Sequence, residues 1–158
     1  MLLLISVGIV TVIIYIHRQY NPAIVMHTEI SGVDDETYES IGGLEVVKYP
    51  EQENFKQLIF SLNVIYSNKI EDIQINMPYS FIELLSREIY WTGSGWEFPD
   101  PNKRHVQHHY KVIMYIGEIT KEDIENLLDK GYVTVSWKLN GEEKSKEYNI
   151  GESIIFLK

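Results

Sequence analysis

The chain begins with an apolar run, and the rest of it mostly alternates apolar and polar positions. Residues 2–16 carry no charged side chain, and the run ends at His17 and Arg18. A helix that is apolar on all sides needs lipid or a large core around it. A helix of this length rises only about 22 Å against a hydrocarbon core of about 30 Å, so we predict a short, uncleaved membrane anchor over residues 1–18. Its apolar side chains are Leu2, Leu3, Leu4, Ile5, Val7, Ile9, Val10, Val12, Ile13, Ile14 and Ile16.

Two other interpretations of the apolar run stay open. A cleaved secretory signal would carry a basic start and an Ala-x-Ala cleavage site, and the sequence shows neither. The second interpretation is a buried N-terminal helix or strand of the globular domain, because β-branched side chains dominate residues 9–16. Arg18 alone would hold the following domain in the cytoplasm, whereas a cysteine-free domain rich in tyrosine suits the outside of the cell. We expect a single-pass protein of the cell membrane with an extracytoplasmic domain.

Residues 19–158 are predicted to form a single globular domain of mainly antiparallel β structure. The alternation is strong in residues 57–66 and 132–139. Asn140-Gly141 indicates a type I′ turn, and therefore a hairpin with residues 142–150. In residues 57–66 the apolar face consists of Leu58, Phe60, Leu62 and Val64. The other strand candidates, which together suggest six or seven strands, are residues 23–30, 44–49, 70–77, 106–116 and 153–157, with a hairpin turn at residues 67–69.

Two short helices and two loops complete the predicted fold. Apolar residues recur at helical spacing in residues 79–89, and Thr120 can cap a helix over residues 121–129. Residues 31–40 are polar and acidic and are predicted to be a surface loop. Residues 91–102 are rich in Gly and Pro and are predicted to be a loop or a tight hairpin. The fold class is therefore α+β, mainly antiparallel, after an N-terminal transmembrane helix. An immunoglobulin-like β-sandwich with a helical insertion is the alternative.

The predicted domain is acidic. It contains all 23 Asp and Glu of the chain and 13 of its 14 Lys and Arg, because only Arg18 precedes it, and its formal charge is 13 minus 23, or −10. Such a surface repels nucleic acid and anionic lipid headgroups, because both bind through Lys and Arg. We expect a protein partner that is basic or a toxin, contact with the bilayer through the N-terminal helix, and no nucleic acid.

Large aromatic residues in the predicted loop 91–102 are the first candidate for a binding site. Trp91, Trp96 and Phe98 lie beside glycines, an arrangement with which many surfaces bind partner proteins or sugars. The alternative is a hairpin whose tryptophans pack back onto the core.

A histidine cluster follows this loop. On a strand, His105 and His109 share a face but stand about 13 Å apart, too far for one metal ion with ligand bonds near 2 Å. His108 points to the opposite face. We therefore predict a surface cluster that titrates near neutral pH, in which His105 and His109 join the aromatic residues in binding the partner, and no metal site.

No catalytic motif stands out in the sequence. Cysteine is absent, and no Gly-x-Ser-x-Gly elbow occurs. The acidic run at residues 34–36 lacks the spacing and the glycine of a calcium loop. We predict a binding protein without catalytic activity or cofactor. A structural subunit of a membrane complex and a metal-dependent envelope enzyme that uses the histidines of residues 105–109 are the alternatives.

The layout of the whole chain, an anchor over residues 1–18 and an acidic β-rich domain over residues 19–158, resembles the TipC-type immunity proteins of Gram-positive bacteria. In that family an extracytoplasmic domain of this kind blocks a secreted toxin. The resemblance covers architecture and includes no diagnostic motif, so it assigns no residue a role. It implies an immunity-type inhibitor of a toxin.

Overall fold

Eight β-strands in two sheets and three α-helices form the part of the chain that the computed structural model describes, residues 19–100 and 102–157. The strands are β1 (Ala23–Gly32), β2 (Phe55–Ile65), β3 (Ile70–Asn76), β4 (Tyr90–Asp100), β5 (His105–Tyr115), β6 (Tyr132–Leu139), β7 (Glu142–Asn149) and β8 (Ile154–Phe156). The helices are α1 (Asp35–Glu39), α2 (Phe81–Ile89) and α3 (Lys121–Leu128), and 3₁₀ turns cover Leu44–Val46, Gln52–Asn54 and Gly151–Ser153. The predicted anchor, residues 1–18, lies outside the described residues. None of the described helices is long and apolar enough to cross a membrane.

The larger sheet has the strand order β4-β5-β2-β1-β8. Its neighbouring strands are antiparallel except for β8, which runs parallel to β1 beside Thr28, Glu29 and Ile30. The sequence pattern predicted no parallel pair. β8 takes this direction because the chain returns from β7 through the turn Gly151–Ser153, where the hydroxyls of Ser153 and Thr28 are hydrogen-bonded at 2.7 Å.

The smaller sheet has the strand order β3-β6-β7. The predicted hairpin of β6 and β7 is confirmed, and Asn140 (φ 53°) and Gly141 (φ 82°) both take the left-handed conformation that a type I′ turn requires. The predicted hairpin of residues 57–77 is wrong, because β3 pairs with β6 and not with β2. Residues 66–69 therefore carry the chain from one sheet to the other.

The main core joins one face of the larger sheet to α2, α3 and the smaller sheet. β6 alternates buried and half-buried positions along its whole length, as a strand with one face on a core does. The predicted apolar face of β2 is confirmed, because each of its side chains is 0% exposed: Leu58, Phe60, Leu62 and Val64. Burial of apolar surface stabilises by about 25 cal/mol per Å², so this face of β2 is a principal source of stability.

Both predicted helices are confirmed with small shifts at their ends. α2 begins at Phe81, two residues later than predicted, because Ser80 caps it and forms a reciprocal capping box with Glu83. α3 is capped by Thr120 as predicted, and Asp123 bonds back to the Thr120 backbone. These bonds satisfy backbone N–H groups that the first helical turn leaves without a partner.

Residues 33–54 fold over one end of the larger sheet, where a loop and a strand were predicted. The predicted loop contains α1, and the predicted strand over residues 44–49 is wrong, because the chain forms a 3₁₀ turn at Leu44–Val46 after Gly43 takes φ 79°. Ile41 and Leu44 pack beside Phe55 in a second, smaller core. The apolar residues of this segment cover the sheet and do not pair with it.

The predicted fold class is confirmed in its mainly antiparallel β character. The described residues contain eight strands where six or seven were predicted, and three α-helices where two were predicted. The strand candidate at residues 44–49 did not form, and β4 formed within residues 91–102 instead. α1 is the additional helix, and it lies in a segment that was predicted to be a loop.

Candidate protein-binding face

The larger sheet has one face on the main core and one face turned away from it, which we name the outer face. Side chains alternate between the faces along each strand, and directly paired residues of neighbouring strands point to the same side. The strand register therefore identifies the members of the outer face. Those not covered by residues 33–54 include Val25 and His27 on β1, Ile59, Ser61, Asn63 and Ile65 on β2, His105, Gln107, His109 and Lys111 on β5, and Ser94, Trp96 and Phe98 on β4.

Trp96, Phe98 and His109 form an aromatic cluster on the outer face. The rings of Trp96 and His109 are stacked, with their centres 4.3 Å apart and an angle of 28° between their planes. Phe98 meets Trp96 edge-on, at 6.3 Å and 78°. Trp96 nevertheless stays 40% exposed and Phe98 55% exposed. Aromatic side chains that are held in place by neighbours and remain open to solvent are frequent anchors of protein interfaces.

Apolar and hydrogen-bonding side chains extend this cluster across the sheet. Ile65 is 57% exposed and Val25 is 63% exposed. Between them and the aromatic rings, Nε2 of His105 lies 3.2 Å from Oδ1 of Asn63. The combination of exposed apolar side chains with fixed polar groups is the composition of an interface.

Four of the five predicted partner-binding residues meet on the outer face: Trp96, Phe98, His105 and His109. Trp91 does not join them. The register of β4 shifts between Tyr90 and Thr92, and Trp91 at this shift packs edge-on against Phe55 at 5.8 Å in the second core. Its Nε1 donates a hydrogen bond to the carbonyl oxygen of Gly42 at 3.1 Å. Trp91 thus holds residues 33–54 on the sheet.

The glycines among these aromatics belong to an edge strand that pairs with β5, so the loop predicted for residues 91–102 is wrong and the alternative of a hairpin describes this segment better. A Cβ on Gly95 would lie 2.3 Å from the ring of Tyr110, and one on Gly93 would lie 2.8 Å from the carbonyl oxygen of Lys111. The glycines therefore allow β4 to pack closely on β5. As a consequence, Trp96 and Phe98 project from a paired strand in fixed positions.

His108 points to the inner side of the sheet, opposite to His109, as the alternation predicts. It is 6% exposed, and its Nδ1 lies 3.3 Å from Oε1 of Glu97 on β4. Burial lowers the pKa of His108 below its usual value, and the nearby Glu97 carboxylate offsets only part of this effect. Burial likewise raises the pKa of the neighbouring Tyr110. His108 is therefore a structural member of β5 and is not part of the outer face.

The described residues hold no metal centre. Within residues 19–100 and 102–157, no three His, Asp or Glu side chains converge on a point that a metal ion could occupy. His105 and His109 lie on the same face of β5, four residues apart on an extended strand, which separates them by about 13 Å.

Sequence reasoning missed Val25, Ile65 and His27 as members of the outer face. A signal for the first two was present, because each is an apolar residue on the side of its strand where the alternation expects a polar one. Val25 lies between Ile24 and Met26, which face the core, and Ile65 directly follows the buried Val64. Their position beside the aromatic cluster depends on the strand order, which the sequence pattern does not contain.

Comparison of the chain with protein-family models gives no match, and comparison with curated proteins gives none either. The role of the outer face therefore has to follow from its own chemistry.

Proposed function

We propose that this chain is a membrane-anchored, extracytoplasmic protein-binding module without catalytic activity, and that it inhibits a secreted toxin, as its resemblance to the TipC-type immunity proteins implies. One observation carries the binding role. Trp96, Phe98 and His109 form an ordered aromatic cluster on the part of the outer face that residues 33–54 leave uncovered. Soluble domains rarely leave such a cluster open unless it binds something.

The aromatic cluster contributes binding free energy when a partner covers it. Burial of a whole aromatic side chain is worth about 1.5–3 kcal/mol. Because Trp96 and Phe98 retain roughly half of their surface in solvent, covering both contributes about 2–3 kcal/mol, or about 30- to 150-fold in affinity. Val25 and Ile65 add to this when the same partner covers them.

The charge of the domain selects the partner at longer range. Its net charge of −10 (13 basic against 23 acidic residues) attracts a basic protein and speeds their encounter. On the outer face itself the carboxylates lie at the margins, in Glu29 and Asp100. Charge therefore steers the partner towards the domain, and the aromatic cluster holds it.

The test uses the full chain in lipid nanodiscs and the secreted proteins encoded beside its gene. We expect one of them to bind, and we expect the double substitution Trp96→Ala and Phe98→Ala to raise its Kd at least 30-fold. The matched control is Tyr79→Ala with Ile82→Ala, which removes side chains that are 47% and 42% exposed at and before α2, on the core side of the larger sheet, and should leave Kd within twofold. Failure of every neighbouring protein to bind would overturn the function, and equal binding by the double variant would overturn the assignment of the face.

A further inference from the structure

The two ends of the larger sheet are built from different parts of the chain. Ala23 pairs with Ile65, which in turn pairs with His105, so the start of β1, the end of β2 and the start of β5 lie at one end. We name this the proximal end, because the chain reaches it directly from residues 1–18. Its described connections are residues 19–22, 66–69 and 102–104. The opposite, distal end is formed by residues 33–54, which join β1 to β2.

The connections at the two ends of the larger sheet carry opposite charges. The proximal connections contain Lys69, Lys103 and Arg104 and no carboxylate. Asp100, the last residue of β4, pairs with Lys103 at 3.2 Å and leaves a local charge of +2. Residues 33–54 at the distal end contain seven carboxylates and one cation, Lys48. The proximal connections of the larger sheet are therefore basic, although the domain as a whole is acidic.

The cations at the proximal end are accessible. Lys69 and Arg104 are exposed, and neither has a carboxylate partner in the described part of the chain. Nζ of Lys69 lies 4.6 Å from the centre of the Tyr20 ring and donates a hydrogen bond to its hydroxyl at 3.2 Å. Arg104 has φ 51° in the turn between β4 and β5. Both cations are thus free to meet an anion outside the domain.

Apolar and aromatic surface accompanies these cations. Tyr20 is 37% exposed, and Ile65 at the end of β2 is 57% exposed. Tyrosine beside lysine and arginine is the residue combination of a membrane interface, where the ring lies at headgroup level and the cations meet anionic lipids.

The route of the chain brings the proximal end close to any bilayer that residues 2–16 enter. The hydroxyl of Ser67 donates a hydrogen bond to the carbonyl oxygen of Gln19 at 2.7 Å, which fastens the first described residue to the connection between β2 and β3. Only His17 and Arg18 separate Gln19 from the apolar run. Two residues span at most about 7 Å, so the domain has no long linker on which to move away.

We infer that the proximal end rests on an anionic bilayer surface, with Lys69, Lys103 and Arg104 on the lipid headgroups and the acidic distal end pointing away. This inference rests on the proposed membrane anchoring and adds the orientation of the domain. The pairing of Ile70 with Leu139 places the β6–β7 turn near the same end, where Glu71, Glu142 and Glu143 flank it. Within this end we therefore assign the contact to the connections of the larger sheet and not to the turn of the smaller one. The strands then stand away from the bilayer, and the outer face opens sideways to a partner that moves along the membrane.

The absence of cysteine makes this orientation measurable with single labels. The variants Asn68→Cys and Asn102→Cys place an environment-sensitive fluorophore at the exposed proximal end, and Glu39→Cys places it at the exposed distal end. The eleven residues of β2 separate the two ends by about 35 Å. The full chain is inserted into nanodiscs that contain an anionic phospholipid and a lipid with a nitroxide on its headgroup, which quenches nearby fluorophores.

We expect quenching at residues 68 and 102 to exceed quenching at residue 39 at least threefold. Reversal of the three proximal charges, by Lys69→Glu, Lys103→Glu and Arg104→Glu, should reduce proximal quenching at least twofold. Raising the salt concentration should weaken it in the unsubstituted chain, which tests the same contact if the triple variant does not fold. The matched control, Lys48→Glu with Lys121→Glu, reverses charges away from the proximal end and should leave quenching unchanged.

Two contrary results have different meanings. A chain that stays in the discs but shows equal quenching at both ends, or proximal quenching that neither charge reversal nor salt affects, would overturn the inferred contact and leave the anchoring intact. A chain that separates from the discs would overturn the proposed anchoring, and the inference with it.

Discussion

The two faces of β2 have opposite environments, although their residues alternate along a single strand. On the inner face every side chain from Leu58 to Val64 is fully buried, whereas on the outer face Ser61 and Asn63 are half-buried and Ile65 is 57% exposed. The side chains of the inner face are enclosed by neighbouring side chains, so the space that each one fills is fixed. The outer face has lost only part of its solvent contact, so substitutions there should affect what the protein binds more than whether it folds.

The largest expected effect comes from the inner face. Phe60 is 0% exposed, and its ring centre lies 5.5 Å from that of Phe81 on α2 and 6.2 Å from that of Tyr110. Phe60→Ala should lower the free energy of unfolding by about 3–5 kcal/mol, because it leaves a cavity that the two sheets cannot close. Urea unfolding of the full chain in detergent, followed by tryptophan fluorescence, measures this loss. Ile65→Ala on the outer face should cost less than about 1 kcal/mol, and a loss equal to that of Phe60→Ala would contradict the comparison.

Two tryptophans on β4 sharpen the contrast, because they are five residues apart and differ in environment. Trp91 packs on Phe55 and donates a hydrogen bond to Gly42, so Trp91→Ala should lower the free energy of unfolding by about 3 kcal/mol and loosen residues 33–54. Trp96→Ala should cost about 1 kcal/mol or less and should weaken partner binding instead. Urea unfolding combined with a binding measurement separates the two, and a reversal of their order would show that the roles are exchanged.

A glycine on the same strand provides a smaller effect. Gly95→Ala brings a Cβ to within 2.3 Å of the Tyr110 ring, which has to shift, so a loss of about 1–3 kcal/mol is expected. Gly42→Ala is the control, because a Cβ there meets nothing within 4 Å and the backbone is not left-handed. The midpoints of thermal unfolding measure both changes. Equal midpoints would show that β4 moves freely on β5.

Much of the fold follows from local patterns in the sequence. Alternation identified β2 and β6, Asn140-Gly141 identified the hairpin, and Thr120 identified the start of α3, because each is decided by neighbours along the chain. β4 was missed for a reason of tertiary structure. Its glycines favour a loop locally, and only the ring of Tyr110 on the paired strand gives them a role in a sheet.

The candidate site was predictable in composition but not in arrangement. Trp96, Phe98, His105 and His109 were selected from the sequence, and the pairing of β4 with β5 brings Trp96 opposite His109. Trp91 was included in the predicted site because it is close to the other aromatic residues in the sequence. The register shift of β4 at Trp91 cannot be recognised from the sequence. The pairing of β3 with β6 likewise depends on contacts between segments that are distant in the sequence. The turn predicted after β2 wrongly indicated that β3 pairs with β2.

His108 and His109 extend the comparison to pH, because adjacent residues of β5 face opposite sides. Burial lowers the pKa of His108, so its contribution to stability is fully present above the unfolded pKa of about 6.5 and is lost as pH falls through the lower folded pKa. Between pH 6.5 and 5.5 the loss is at most about 1.4 kcal/mol. Four carboxyl groups respond in a lower pH range. Hydrogen bonds lower the pKa values of Asp34, Glu83, Asp100 and Asp123, although burial opposes the shift. Their contributions to stability are therefore lost only below about pH 4.

The measurement is urea unfolding of the full chain at pH 7.5 and 5.5, with His108→Gln and His109→Gln compared to the unsubstituted protein. His108→Gln should remove most of the pH dependence in this window, because it deletes the buried group that has to take up a proton next to Glu97. His109→Gln removes a partly buried ring that stacks on Trp96, so the pH dependence should persist. If His109→Gln abolished the pH dependence of the stability and His108→Gln did not, the titrating group would lie on the outer face. Protonation would then act on partner binding and not on the core.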